Sequence, residues 1–269
     1  MLAACGGNGS TTGSGGGTTG TTTSTTTSGT AGGGTGGTGG GGGDWSCLGD
    51  IVYPDPSAPM VKVSFVFLDH LSHMPITDMS VKACPKNDPP CAGVIDQGNT
   101  DADGAIALTV PSGPAGFDGS FNLDKMGYPT SRVLVYPMPS ADSPVIHMTI
   151  VSVQALQLGL ADVGTKADPT RGHVAIAGLD CGLLPAPGVS FQVLAADGKS
   201  TTAYVAGMGL DEKATATGPD GVGIVFNVPI GPTKVSATRE ATKMPIGVVD
   251  APVEVGGVTY VSVPPTPPP

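Results

Sequence analysis

Asp103-Gly104-Ala105-Ile106-Ala107-Leu108-Thr109-Val110-Pro111-Ser112-Gly113 recurs in the second half of the 269-residue chain as Asp220-Gly221-Val222-Gly223-Ile224-Val225-Phe226-Asn227-Val228-Pro229-Ile230-Gly231, with one extra residue. Asp-Gly is the dipeptide of a tight turn that opens a hairpin. Val-Pro-x-Gly closes the strand, because Pro cannot donate to a ladder and Gly tolerates positive φ. Upstream of each copy lies a second matching element, Pro75-Ile76-Thr77-Asp78-Met79-Ser80-Val81 and Pro187-Gly188-Val189-Ser190-Phe191. A strand unit has been used twice.

The surrounding pattern is strand and turn. Met60 to Leu68 sets Val61, Val63, Phe65 and Phe67 on one face, the period of two that marks a half-buried strand. Further strands are expected over 78–84, 104–110, 117–123 and 132–138, then over 173–179, 189–195, 222–228, 233–239 and 253–263, with Gly, Pro and Asp between them. One segment changes period. In 152–163, Val153, Leu156, Leu160 and Val163 stand at helical spacing behind the cap residue Ser152 and ahead of Gly164, with Gly159 as an internal blemish. The expected fold is all-β: two tandem Ig-like or prealbumin-like β-sandwiches, residues 44–150 and 169–263, joined by a short helical connection over 151–168. Residues 264–269 (PPTPPP) read as an extended polyproline tail.

The duplicated strand unit resembles the carboxypeptidase regulatory-like domain, a transthyretin-like β-sandwich, in tandem over most of residues 45 to 264. Trp45-Ser46-Cys47-Leu48-Gly49 looks like the entry of such extracellular domains. The resemblance implies an accessory module that stabilises, spaces or adheres, and it brings no catalytic residues to carry over. It also raises the Lys–Asn isopeptide bonds of related adhesin sandwiches as a candidate feature. Lys62, however, alternates with Ser64 opposite the apolar row and is expected in solvent.

The N-terminus adds location. Leu2-Ala3-Ala4-Cys5 (residues 1–5 with Met1) resembles a bacterial lipobox, which implies lipid on Cys5. Only three residues separate Met1 from Cys5, shorter than the roughly 7–15 apolar residues of a signal h-region, so the sequence is expected to begin inside a longer signal. Residues 6–43 are Gly, Thr and Ser apart from Asn8 and Ala31. With nothing to seed a core, they are expected to form a disordered tether with an rms span of about 35 Å. The expected location is extracytoplasmic, lipid-anchored to the outer membrane or cell surface of a Gram-negative bacterium. The partners expected are that membrane, through Cys5, and a cell-surface protein or glycan.

Of five cysteines, Cys5 is assigned to lipid, which leaves Cys47, Cys84, Cys91 and Cys181, an even number in an exported chain. Four cysteines allow three connectivities. The turn-rich insert Pro85-Lys86-Asn87-Asp88-Pro89-Pro90 favours Cys84 with Cys91, and Cys47 with Cys181 follows by subtraction. A zinc site would use the same residues, but no Cys-x2-Cys pair is present.

The formal net charge of −10 excludes the basic footprint that nucleic-acid binding requires. No run approaches the ~18 apolar residues of a membrane span. Asp101 and Asp103 are calcium candidates by spacing, but no late Glu follows as an EF-type loop requires, and a hairpin turn is the simpler reading. Asp69, His70 and His73 could ligate a transition metal, yet no third histidine is near. The simpler reading makes the two histidines exposed loop residues and leaves His147 and His173 as isolated polar groups. No Gly-x-Ser-x-Gly elbow occurs, and export would oxidise a cysteine nucleophile. The expectation is a non-catalytic protein without a cofactor, a spacer or adhesion module. The alternative is a carbohydrate- or peptide-binding protein that uses loops at a sandwich end.

Overall fold

The computed structural model of the chain describes residues 43–51, 58–86, 88, 91–113, 116–137, 139–207 and 209–266. Cys5, the tether up to residue 42 and residues 267–269 lie outside them.

The first half folds as β1 (Met60–Asp69), β2 (Ser80–Pro85), β3 (Asp96–Asn99), β4 (Ala105–Pro111), β5 (Gly119–Asp124), β6 (Ser131–Leu134) and β7 (Ile146–Ile150). Helix α1 (Val153–Asp162) follows. The second half is β8 (Arg171–Gly178), β9 (Val189–Val193), β10 (Thr201–Ala206), β11 (Gly209–Asp211), β12 (Val222–Pro229), β13 (Lys234–Arg239), β14 (Met244–Asp250) and β15 (Val258–Val263). In β1 the alternation holds to the letter: Val61, Val63, Phe65 and Phe67 are buried while Met60 and Lys62 are exposed.

The repeated stretch occupies equivalent places. β4 runs antiparallel to β1, and β12 antiparallel to β8, each being the first strand of its half. The turn glycines Gly104 and Gly221 have φ of +72° and +65°. A Cβ on Gly104 would stand 2.5 Å from the Phe67 carbonyl oxygen, and one on Gly221 would stand 2.6 Å from the Ala186 nitrogen. Glycine is therefore required twice over, for its φ and for the close backbone approach. The upstream match is shifted from the expected one. Bridges Leu68–Pro75 and Leu179–Pro185 pair Pro75 with Pro185, not Pro187. Ile76 N–H donates to the Phe67 carbonyl as Ala186 N–H donates to that of Gly178, both at 2.9 Å.

Among the described residues the strands form three sheets, ordered β4-β1-β7, β14-β13-β9 and a nine-stranded β11-β10-β12-β8-β15-β6-β5-β2-β3. The long sheet runs through both halves. Its seam is β15, which pairs in parallel with β6 on one side and β8 on the other. Along β15, Val258 and Tyr260 enter the first core while Val261 and Val263 enter the second. The neighbours divide likewise, Val133 and Ala175 facing the first core, Leu134 and Ile176 the second. The outer sheets β4-β1-β7 and β14-β13-β9 thus cover opposite faces of the long sheet, and the two sandwiches share β15. A strand buried on both faces needs apolar residues at both parities, which VTYVSV supplies except at its hydroxyl positions.

Several strands escape the sequence reading. β3 (DQGN) carries no apolar residue, and β11 has three residues at the sheet edge. β14 contains Pro245 and Gly247 at an edge where register shifts against β13. The expected strand over 253–263 is broken by the turn Glu254–Gly257, whose Gly257 N–H donates to the Glu254 carbonyl at 3.2 Å, so only Val258–Val263 is strand. The Pro-rich tail begins docked: Pro264 and Pro265 are buried, and Thr266 N–H donates to the Ile246 carbonyl at 2.9 Å.

Cys47 and Cys181 are joined with Cα atoms 5.8 Å apart, and Cys84 and Cys91 with Cα atoms 5.2 Å apart. The entry segment, expected to start the first sandwich, lies on the second. Besides the disulfide, Asp44 N–H donates to the Asp180 carboxylate at 2.9 Å and Cys181 N–H to the Asp44 carbonyl at 2.8 Å. Trp45 packs against the second core beneath the Arg239 guanidinium, 5.5 Å from the ring centroid.

Because the sandwiches share β15, calorimetry should show one unfolding transition for the body. Val261→Asp, which puts a charge into the seam, should cost more than about 4 kcal/mol and remove both halves together. Two resolved transitions, or loss of the second half alone, would contradict a shared core.

Candidate functional site

Helix α1 is built by local signals. The Ser152 hydroxyl oxygen accepts the Ala155 N–H at 3.3 Å, and Gly164, at φ +62°, follows the last turn. Leu160 and Val163 pack with Ala203, Ile224 and Phe226 as a third apolar cluster. The blemish Gly159 has a reason here. A Cβ there would stand 3.2 Å from Leu210 Cδ1 and 3.4 Å from Phe226 Cζ, so its absence lets the helix settle close to the sheet.

Under the helix, register aligns Tyr260, Ala175, Ile224 and Ala203 as neighbours across β15, β8, β12 and β10. Ala175 is short and stands between two large residues. Although it lies in a central strand it is only half-buried, because a cavity of about 270 Å³ opens above it. Leu71, Leu156 and Leu210 wall the cavity, with His70, Asp162 and Tyr260 as its titratable lining residues.

His70 is not the exposed loop residue expected. The Asp69 carboxylate accepts the N–H groups of Leu71 and Ser72, at 3.1 and 2.8 Å, and tightens the turn after β1. His70 is thereby carried to the cavity, half-buried, its Nδ1 buried without a hydrogen-bond partner. Burial holds its pKa below the usual histidine value, so the ring is neutral. His73 is exposed with φ +56°, and His147 is exposed on β7. Among the described residues no three His, Cys, Asp or Glu side chains are placed to hold a metal ion. Asp101 Oδ1 accepts the N–H groups of Asp103 and Ala105, each at 2.9 Å, as a turn residue does.

His173 is buried on β8, edge-on to Phe226, with Nδ1 accepting the Asn227 N–H at 3.4 Å. Burial pulls its pKa down to about 4. Asn227, at φ +54° where β12 shifts register, accepts Asp168 N–H and donates to the Lys166 carbonyl, both at 2.9 Å. This cluster pins the chain that leads from α1 into β8.

Two buried hydroxyls went unread in the sequence. The Thr100 hydroxyl accepts Met79 N–H at 2.9 Å and donates to the Ile76 carbonyl at 2.6 Å. Thr217 does the same with Val189 N–H at 3.0 Å and the Ala186 carbonyl at 2.7 Å. Both are buried. The signal was available, since Thr stands four residues before the turn glycine in both copies, Thr100-Asp101-Ala102-Asp103-Gly104 and Thr217-Gly218-Pro219-Asp220-Gly221.

No protein-family model matches the sequence, and no curated protein does. Among solved structures, shaft pilin SpaA from Lactobacillus rhamnosus GG is 14% identical over 78% of this chain and 100% of its own, at a TM-score of 0.26. BcpA, the major pilin subunit of Bacillus cereus, is 10% identical over 77% of this chain and 100% of its own, at 0.24. The Bacillus anthracis TIE protein is 12% identical over 77% of this chain at 0.25, and the match spans only 34% of that protein. At such TM-scores the likeness carries no weight, and the architecture stands on its strand pairing.

Replacing the paired hydroxyls should expose their structural role. Thr100→Val or Thr217→Val keeps the shape but strands a buried N–H and carbonyl, and should cost about 1–3 kcal/mol in urea unfolding, with Ser milder. A neutral result at both positions would refute that role.

His173 also sets a pH window. Its folded pKa of about 4 lies below the value of roughly 6.5 that it has unfolded, so between these the unfolded state binds more protons. Stability should be complete above about pH 6.5 and fall toward pH 4 by an amount on the order of 3 kcal/mol. His173→Gln should reduce that slope, the remainder coming from His70, whose shift has the same sign. Asp168, held low by Thr170, and Asp197, held low by Arg171, lose their contribution only on further acidification. An unchanged slope in His173→Gln would refute the assignment.

Proposed function

We propose that this chain is a non-catalytic, extracytoplasmic β-sandwich module, held to a membrane by lipid on Cys5 and acting as a spacer or adhesion module at the cell surface. The observation that carries the reading is the pair of disulfides, Cys47–Cys181 and Cys84–Cys91, bonds that persist in oxidising compartments. The shared sheet supports it, since two sandwiches joined through β15 make a body suited to holding a surface at a fixed distance. The polar residues inside support it too. His173, Asn227, Thr100 and Thr217 are all engaged in fixing backbone, a structural use. The membrane is proposed to be the outer membrane of a Gram-negative cell, and the partner a cell-surface protein or glycan.

The test is made on the protein from its native cell. Mass spectrometry of the membrane fraction should find an acylated peptide beginning at Cys5, and Cys5→Ser should release the protein into the soluble fraction. The four other cysteines should resist alkylation until reduced. Free thiols at 47, 84, 91 and 181 in a cytoplasmic fraction would overturn the location, and an unmodified Cys5 in membrane-bound protein would overturn the anchor.

A further inference from the structure

We propose that the cavity beneath α1 is a binding site for a compact, uncharged, apolar molecule carrying one hydrogen-bonding group. This goes beyond the spacer reading and does not depend on the lipid anchor. At about 270 Å³ the cavity is far larger than the ~10–15 Å³ that a single water needs. A buried water needs 2–4 polar partners, and walls such as Leu156, Leu210, Ile224 and Phe226 offer none from their side chains. Water held there is therefore readily displaced by an apolar group.

The space is a product of residue choice. Ala175 occupies the one position between Tyr260 and Ile224 where a larger aliphatic side chain would fill the floor. The mouth is apolar as well. Leu71 and Leu158 both line the cavity while remaining 44% and 50% exposed, a cost in water that an occupant would relieve.

Charge narrows the class. Among the described residues the lining contains no Lys or Arg, and Asp162 stands at the edge, so a carboxylate or phosphate would find no counter-charge and one repulsive neighbour. His70, whose Nδ1 is closed off, lines the cavity as the residue whose ring can pair with a single donor or acceptor on the occupant. An uncharged apolar molecule with one polar substituent fits these walls, and a fatty-acid anion does not.

The experiment uses the full chain and the fluorescent amine 1-aminoanthracene as probe. Saturable binding of one equivalent is expected, with decanoate failing to compete. Ala175→Leu should weaken binding at least tenfold while leaving the circular dichroism spectrum and Tm unchanged or raised. Should that variant not fold, Leu158→Asp at the exposed mouth decides, with an expected loss of at least fivefold. Binding of several equivalents, wild-type affinity in the folded variant, or competition by decanoate would each overturn the proposal.

Discussion

The parallel pairing of β15 with both β6 and β8 is the constraint on which the rest of the structure depends. Each half has its own outer sheet and its own apolar cluster, yet neither is complete without this strand. Val258 and Tyr260 close the first core, and Val261 and Val263 close the second. Because successive side chains point to opposite faces, one strand serves two cores only if both parities are apolar. The outer sheets must then lie on opposite faces of the long sheet, and α1 is left to cover the face over β10 and β12 that neither outer sheet reaches. The helix, the cavity and the docking of Pro264 and Pro265 after β15 all follow from that placement.

Legibility in the sequence tracked how local each signal was. The duplicated Asp-Gly strand, the alternation of Val61 to Phe67 and the capped helix from Ser152 to Gly164 were readable because each is decided within a dozen residues. Two edge strands, β3 and β14, were not. β3 carries no apolar residue, and β14 is interrupted by Pro245 and Gly247, so neither has a period to detect, and both exist because a neighbour offers a ladder. The sharing of β15 is non-local in the same sense. Its sequence hints at burial on both faces but not at which strands flank it.

The candidate site was less legible still, because it is made by residues whose importance lies in what they lack. Ala175 leaves a gap in a row of larger side chains, and Gly159 lets a helix approach, and neither belongs to a motif. His70 read as a loop residue since only the fold of the Asp69 turn brings it against the helix. Thr100 and Thr217 were legible in principle: the duplication places them identically, and a buried hydroxyl that both accepts and donates is a recurring way to satisfy backbone at a sharp bend.

The attachment of residues 43–50 to the second half rather than the first has a mechanical consequence. Tension applied through the N-terminal side of Gly43 reaches Cys47 and crosses to Cys181 by a covalent bond. Two residues before Cys181, Leu179 N–H is bonded to the Val263 carbonyl at 3.1 Å, beside the C-terminal exit of β15. A pull between the two ends thus runs along a short line through the second sandwich. The stretch from Cys47 to Cys181, which carries β1 to β8 and α1, is a loop shunted out of the line. Tension between the ends thus bypasses the backbone of β1 to β8 and reaches the first core through β15, the strand it shares with the second.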